Sequence, residues 1–260
     1  MNHLNMRNKN IRIYLYSISL FLFLQNCQIT KYFQKDHKNY FHSDFECFNK
    51  DGWRDNKKFE LYTTRVWIPI RAVYGLDNQK IGSARTVITG NSLVQLFTPN
   101  LIEREFPAKG VINRGIGGDM TETLLLRIEE DVLSLSPSTI ILEIGGNDLI
   151  QGKCLSRIQN NVISLLDKIR KISPRVKIIF ISVPPTNESY LNQIVPVYNS
   201  FLSTLPSRYK NLIYLETWQD MRDPDKPIIK DELIRKEIGD KIHFNENGYS
   251  IWGKLIRPHL

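Results

Sequence analysis

From Thr86 onward, short β-branched runs alternate with amphipathic stretches, and this alternation limits the folds open to the chain more than any other feature. The runs are Thr86–Thr89, Val111–Asn113, Thr139–Ile144, Val176–Ser182 and Leu212–Leu215. Between them Leu125, Ile128, Val132 and Leu135 recur at helical spacing, as do Ile158, Val162, Leu165, Ile169 and Ile172. Strands joined through helices predict parallel pairing in a sheet covered on both faces. In such a sheet the chemistry belongs beyond the carboxyl ends of the strands.

The 260 residues suit one sizeable domain, and 42% apolar with 24% charged residues suits a buried core. The net charge of +8 is partly a property of the first residues. Arg7, Lys9 and Arg12 precede the apolar run Ile13–Leu24, and from Cys27 onward 32 basic and 27 acidic residues remain. That excess is mild, and no dense basic block with interleaved aromatics points to nucleic acid. The apolar run is too short for a bilayer span, which takes about 20 residues, and fits the core of a secretory signal. "LQNC", Leu24 to Cys27, then resembles the lipobox of bacterial lipoproteins, with Gln25 and Asn26 where small residues are usual. We expect a signal peptide over 1–26 and a lipid on Cys27, which anchors the exported chain to a bacterial membrane.

Residues 27–80 read as a tether and an irregular lead-in packed on the domain edge, because they show no clean period. His42, Asp44, Glu46 and Cys47 match no metal-binding spacing, so no metal is assigned. Spacing does not pair Cys47 with Cys154, and they are read as two separate buried thiols. The domain proper is placed at 81–260.

Four short segments fall at the predicted strand ends: Gly90–Asn91–Ser92, "NRGIGGD" (Asn113 to Asp119), "GGND" (Gly145 to Asp148) and "DKIHFN" (Asp240 to Asn245). Their glycines let backbone approach a substrate closely. Ser92 opens a helical pattern, so it is a helix-start residue or a nucleophile, and the second role needs a base and an acid. Of the five histidines, His243 has an acid three residues before it, Asp240, in what reads as a short turn. An aspartate at that spacing can hold one ring nitrogen and leave the other for a hydroxyl.

These segments, with "GNSLVQLF" and "EIGGND", resemble in order the four blocks of the SGNH hydrolases, the GDSL esterase/lipase superfamily. Within it they are most similar to the catalytic subunits of platelet-activating-factor acetylhydrolase and bacterial relatives acting on acetyl esters. The resemblance spans Thr86 to the C-terminus. It implies that Ser92 attacks an ester carbonyl, that His243 carries the proton and that Asp240 orients His243. It also implies an oxyanion hole made of the Ser92 and Gly118 backbone N–H groups and the Asn147 side chain. No cofactor or metal is implied.

Asn91 departs from the family, which usually has Asp before the serine. Asn keeps an acceptor of similar shape and loses the charge. The expectation is weakened catalysis that an aspartate at 91 would raise. Lys241, where Gly is common, is a smaller departure. The reading is therefore a lipid-anchored serine esterase with a flavodoxin-like three-layer α/β/α sandwich and a five-stranded parallel sheet. Its substrate is a carboxylic ester with a short acyl group, such as a sugar O-acetyl ester or a lysophospholipid. Two rivals stand beside it: a surface binding protein that keeps the fold with weakened turnover, marked by Asn91, and a non-catalytic structural lipoprotein, which leaves the ordered blocks unexplained.

Overall fold

The computed structural model describes residues 38–260; the leader and Cys27 lie outside the described residues. Thr86–Gly90 (β1), Val111–Gly115 (β2), Thr139–Glu143 (β3), Lys177–Ile181 (β4) and Leu212–Leu215 (β5) form one five-stranded sheet in the order β2-β1-β3-β4-β5. Every neighbouring pair is parallel, as the alternation requires. The helices are α1 (Asn56–Tyr62), α2 (Ile68–Ile81), α3 (Ser92–Gln95), α4 (Pro99–Glu105), α5 (Thr121–Asp131), α6 (Gly146–Ile150), α7 (Leu155–Ile172), α8 (Ser189–Thr204), α9 (Trp218–Met221) and α10 (Glu246–Ile256).

Successive side chains of a strand point to opposite faces, and both faces here are apolar. Val87, Ile140, Leu142, Ile178 and Phe180 pack toward α5, α7 and α8. Ile88, Ile141, Ile179 and Ile181 pack toward α3, α4 and α10. The result is the three-layer sandwich. The α7 stripe Ile158, Val162, Leu165 and Ile169 is fully buried, while Ile172 at its end is 42% exposed. In α5 the core residue is Leu124, one position before the expected Leu125, which is half-buried.

The chain runs from β1 to β2 on one side, then crosses to β3 on the other. The winding direction reverses between β1 and β3, and their carboxyl ends frame a crevice where ligands bind in such sheets. Ser92 follows β1 and Asn147 follows β3, so both face this crevice by topology alone.

The lead-in differs from its expectation as irregular. Residues 56–81 are continuously helical, with Asp55 capping the Lys58 N–H of α1. A π-helical turn at Thr63–Trp67 joins α1 to α2. The wider turn rotates the face by an extra residue, so no single helical period runs through the stretch. The inward face is also unusual, because it anchors through Tyr62, Trp67, Tyr74 and Asn78 rather than an aliphatic stripe. Leu61, Ile68, Val73 and Leu76 lie outward.

The second correction concerns the cysteines. Cys47 and Cys154 form a disulfide, with Cα atoms 4.8 Å apart and 107 residues between them in sequence. Pairing follows from a backbone bridge between Phe48 and Lys153, which sets the lead-in alongside the loop after α6. No local spacing rule reveals a contact that depends on tertiary docking. Cross-linking a loop of this length restricts the unfolded chain, and removing such a bridge typically costs about 2–4 kcal/mol. We therefore expect the Cys47→Ser/Cys154→Ser variant to lose about 2–4 kcal/mol of unfolding free energy in urea titrations. Reductant should lower the wild type to the same value and leave the variant unchanged.

Candidate active site

Ser92 sits at the first turn after β1, where Asn91 caps α3 by accepting the Leu93 N–H at 2.9 Å. Its Oγ lies 2.7 Å from His243 Nε2. His243 Nδ1 lies 2.8 Å from Asp240 Oδ2. The three side chains reach one point from the two ends of the domain, 151 residues apart in sequence. Asp240 and His243 belong to a short strand, Asp240–Phe244 (β7), paired antiparallel with Ile234–Arg235 (β6), rather than to a turn. Arg235 approaches Asp240 at 3.6 Å, a neighbour that sequence spacing does not indicate.

Asp240 is set up to stay charged. Burial pushes its pKa up, but N–H groups of His243 and Ile242 bond its carboxylate, joined by the His243 ring, and hold it below its ordinary value. An ionised carboxylate only accepts, so Nδ1 must donate to it. Nε2 is then the free lone pair, and it faces the Ser92 hydroxyl.

The glycine segment after β2 curls over the same point. Gly118 has φ +87°, and a Cβ there would lie 2.6 Å from the Tyr62 ring. Glycine is thus required by conformation and by packing. Gly117 donates to Gln95 Oε1 at 2.7 Å, which ties the segment to α3. The N–H groups of Ser92 and Gly118 carry no hydrogen bond among the described residues. Asn147 uses one amide proton on the Asp119 carbonyl at 2.9 Å. An amide has two such protons, so one remains.

Behind this segment lies a buried ion cluster. Asp119 accepts from Arg127 at 2.6 Å and from Trp67 Nε1 at 3.0 Å, with Tyr62 at 3.3 Å. Arg127 also donates to the Gly90 carbonyl at 3.2 Å and reaches Asp131 at 3.4 Å. Arg127 and Asp119 are both fully buried.

Reading the sequence missed Glu143. It ends β3 at the base of the crevice, fully buried, with no hydrogen bond to either carboxyl oxygen among the described residues. Burial pushes its pKa up to about 8. The Asn91 amide faces it too loosely for a hydrogen bond and opposes that shift only in part. An aspartate at 91 would therefore meet a second carboxyl rather than backbone alone, which the sequence-based expectation of a gain did not weigh. A carboxylate closing the apolar run "TIILE" was the available signal. Lys241, the other departure, pairs on the surface with Glu188 at 3.3 Å. His42, Asp44 and Glu46 belong to no metal-binding group among the described residues, and Cys47 is in the disulfide.

The GDSL-like Lipase/Acylhydrolase family model matches residues 82–251, and the chain belongs to that family. That membership makes the chain a carboxylic ester hydrolase. Platelet-activating factor acetylhydrolase IB subunit alpha1 of Rattus norvegicus is 25% identical over 188 residues, covering 71% of this chain and 78% of that one. Esterase TesA of Pseudomonas aeruginosa is 26% identical over 121 residues, 46% of this chain, and the match spans 60% of its length. Among solved structures, a GDSL-like lipase from Bacteroides thetaiotaomicron superposes with a TM-score of 0.62 at 22% identity, covering 73% of this chain and 96% of that one.

The buried Glu143 has a measurable consequence. Its folded pKa lies above its unfolded value, so its contribution to stability is fully present below the unfolded pKa and is lost as pH rises through about 8. Between those values the slope approaches about 1.4 kcal/mol per pH unit. Glu143→Gln keeps the neutral shape without the proton. Denaturation at pH 5 and at pH 9 should give similar stabilities for both proteins at the lower pH and a more stable variant at the higher. Parallel curves at both pH values would show that Glu143 ionises without cost.

Proposed function

From this family membership we propose that the chain hydrolyses short-acyl carboxylic esters with Ser92 as nucleophile, His243 as general base and acid, and Asp240 as the group that orients His243. The observation that carries the reading is the continuous chain of hydrogen bonds from Ser92 Oγ through both ring nitrogens to Asp240. Ser92 Oγ attacks the carbonyl carbon and passes its proton to Nε2. The tetrahedral oxyanion is held by the N–H groups of Ser92 and Gly118 and by the remaining Asn147 amide proton. Collapse breaks the bond to the alcohol, which leaves with the proton from Nε2. Water, activated at the same nitrogen, then releases the acid and restores Ser92. Asp240 stays ionised throughout and stabilises the imidazolium.

The same reading places the protein outside the cytoplasm, attached through a lipid on Cys27. The Cys47–Cys154 disulfide favours it, since such bridges persist in oxidising compartments. Substrates at or near a membrane, lipid or sugar esters, follow from that location.

With p-nitrophenyl acetate, Ser92→Ala should lower kcat by about 10⁴-fold or more while the fold is retained. Asn147→Ala should cost about 10²- to 10³-fold in kcat with a smaller change in KM, because its donor acts on the intermediate. A Ser92→Ala protein with near wild-type turnover would remove the mechanism. For the anchor, labelled palmitate should enter the wild type in a bacterial host and fail to enter Cys27→Ser. Equal labelling of both would place the lipid elsewhere.

A further inference from the structure

The crevice continues past Ser92 into a mostly apolar pocket, and Gly146 is part of its lining. Its walls are apolar: Leu93 from the nucleophile turn, Val183 beyond β4, Leu191 and Val195 from α8, and Ile242 beside His243. Glu143 lies at its base but exposes neither carboxyl oxygen.

Gly145 and Gly146 are adjacent, and only the first is required by the fold. Gly145 has φ +114°, and a Cβ on it would lie 2.5 Å from the Tyr198 ring, so a side chain there is excluded twice over. Gly146 lies outside the left-handed region. A Cβ on it would lie 3.6 Å from Val183 Cγ1 and 3.8 Å from Asn91 Nδ2, which is ordinary contact. Neither backbone nor packing asks for glycine at 146. A methyl group there would fit in contact with both the nucleophile turn and Val183, and would occupy space on the lining of the pocket.

We infer that Gly146 sets the acyl-chain length of the substrate, holding open an apolar pocket for an unbranched acyl group longer than acetyl, of butanoyl to hexanoyl size. The inference rests on the proposed role of Ser92 and names the substrate class of that same site. The pocket suits the acyl group rather than the alcohol. After the first step the acyl group stays on Ser92 while the alcohol must depart, and an apolar pocket that Ser92 itself lines serves the part that stays. Each methylene taken from water into such a pocket favours binding about fourfold. A pocket shortened by a side chain discriminates against the longer chain about tenfold or more.

The test uses p-nitrophenyl acetate, butanoate and hexanoate, which share one leaving group. Wild-type kcat/KM should rise from acetate to butanoate or hexanoate. Gly146→Val should lower the hexanoate-to-acetate ratio about tenfold or more, and Gly146→Ala should lower it less. Val195→Phe, which fills the pocket from α8, should act in the same direction. Turnover of the acetyl ester reports that each variant is folded, and Gly146→Ala with Val195→Phe carry the test should Gly146→Val not fold. A wild type whose kcat/KM falls tenfold from acetate to butanoate would overturn the inference. So would an unchanged ratio in folded variants. A second series, acetates of ethanol, butanol and hexanol, should show no shift between wild type and variants. A shift there alone would assign the pocket to the alcohol and overturn the inference. Ser92→Ala distinguishes the two levels: loss of all hydrolysis in that variant with an unchanged chain-length ratio at Gly146 rejects only the role of Gly146.

Discussion

Burying the Arg127 guanidinium is the constraint around which the site is arranged. A cation without access to water must be paired and its donors used, or the cost reaches several kcal/mol. Arg127 meets Asp119 and Asp131 and donates to the Gly90 carbonyl. Those partners lie in three parts of the chain: the glycine segment after β2, α5 and the end of β1. Once the cation is satisfied, Asp119 has one place to be. Its carbonyl then positions the Asn147 amide, and the N–H of Gly118 precedes it directly. Exchanging the cluster for apolar groups would be tolerable for stability in many proteins. Here the cluster also fixes the distance between the turn bearing Ser92 and the segment that curls over it.

The helical lead-in belongs to the same arrangement. Trp67 and Tyr62 reach Asp119, Tyr74 donates to the Gly115 carbonyl and Arg71 pairs with Asp131. A stretch that reads as an edge tether is therefore a support for the glycine segment. The disulfide at Cys47 and Cys154 holds the start of that support to the loop following the Asn147 helix. Two of the turns around Ser92 are thus braced from outside the sheet as well as from within it.

How legible this was depends on the range of the interactions. The five strands and the α7 stripe could be read directly, because periodicity is local and both sheet faces are apolar. The four segments at the strand ends could be read because parallel winding forces them to one rim. Residues 56–81 could not, because a π-helical turn breaks the period and the inward face is built from Tyr, Trp and Asn rather than aliphatic residues. The disulfide and Glu143 could not for a different reason. One depends on docking across 107 residues, and the other is ordinary in sequence and unusual only once β3 is placed beneath Asn91. Gly146 illustrates the same limit: beside Gly145 it looks like a second turn glycine, and only the unstrained contacts a side chain would make there distinguish it.

The placement of charge around Ser92 gives Asn91 a physical setting. An oxyanion forming above the first turn of α3 is disfavoured by negative charge below it and favoured by neutral donors around it. Asp240, the carboxylate held in its ionised form, lies on the far side of the His243 ring, where an imidazolium forms. The two groups beneath the nucleophile are kept without charge by different means. Asn91 is neutral by composition. Glu143 is driven toward its protonated form by complete burial. An aspartate at 91 would change that balance, because a second carboxyl near the first raises the cost of ionising either. Position 91 and position 143 therefore form one electrostatic unit, and the residue suited to 91 depends on the carboxyl that β3 delivers beneath it.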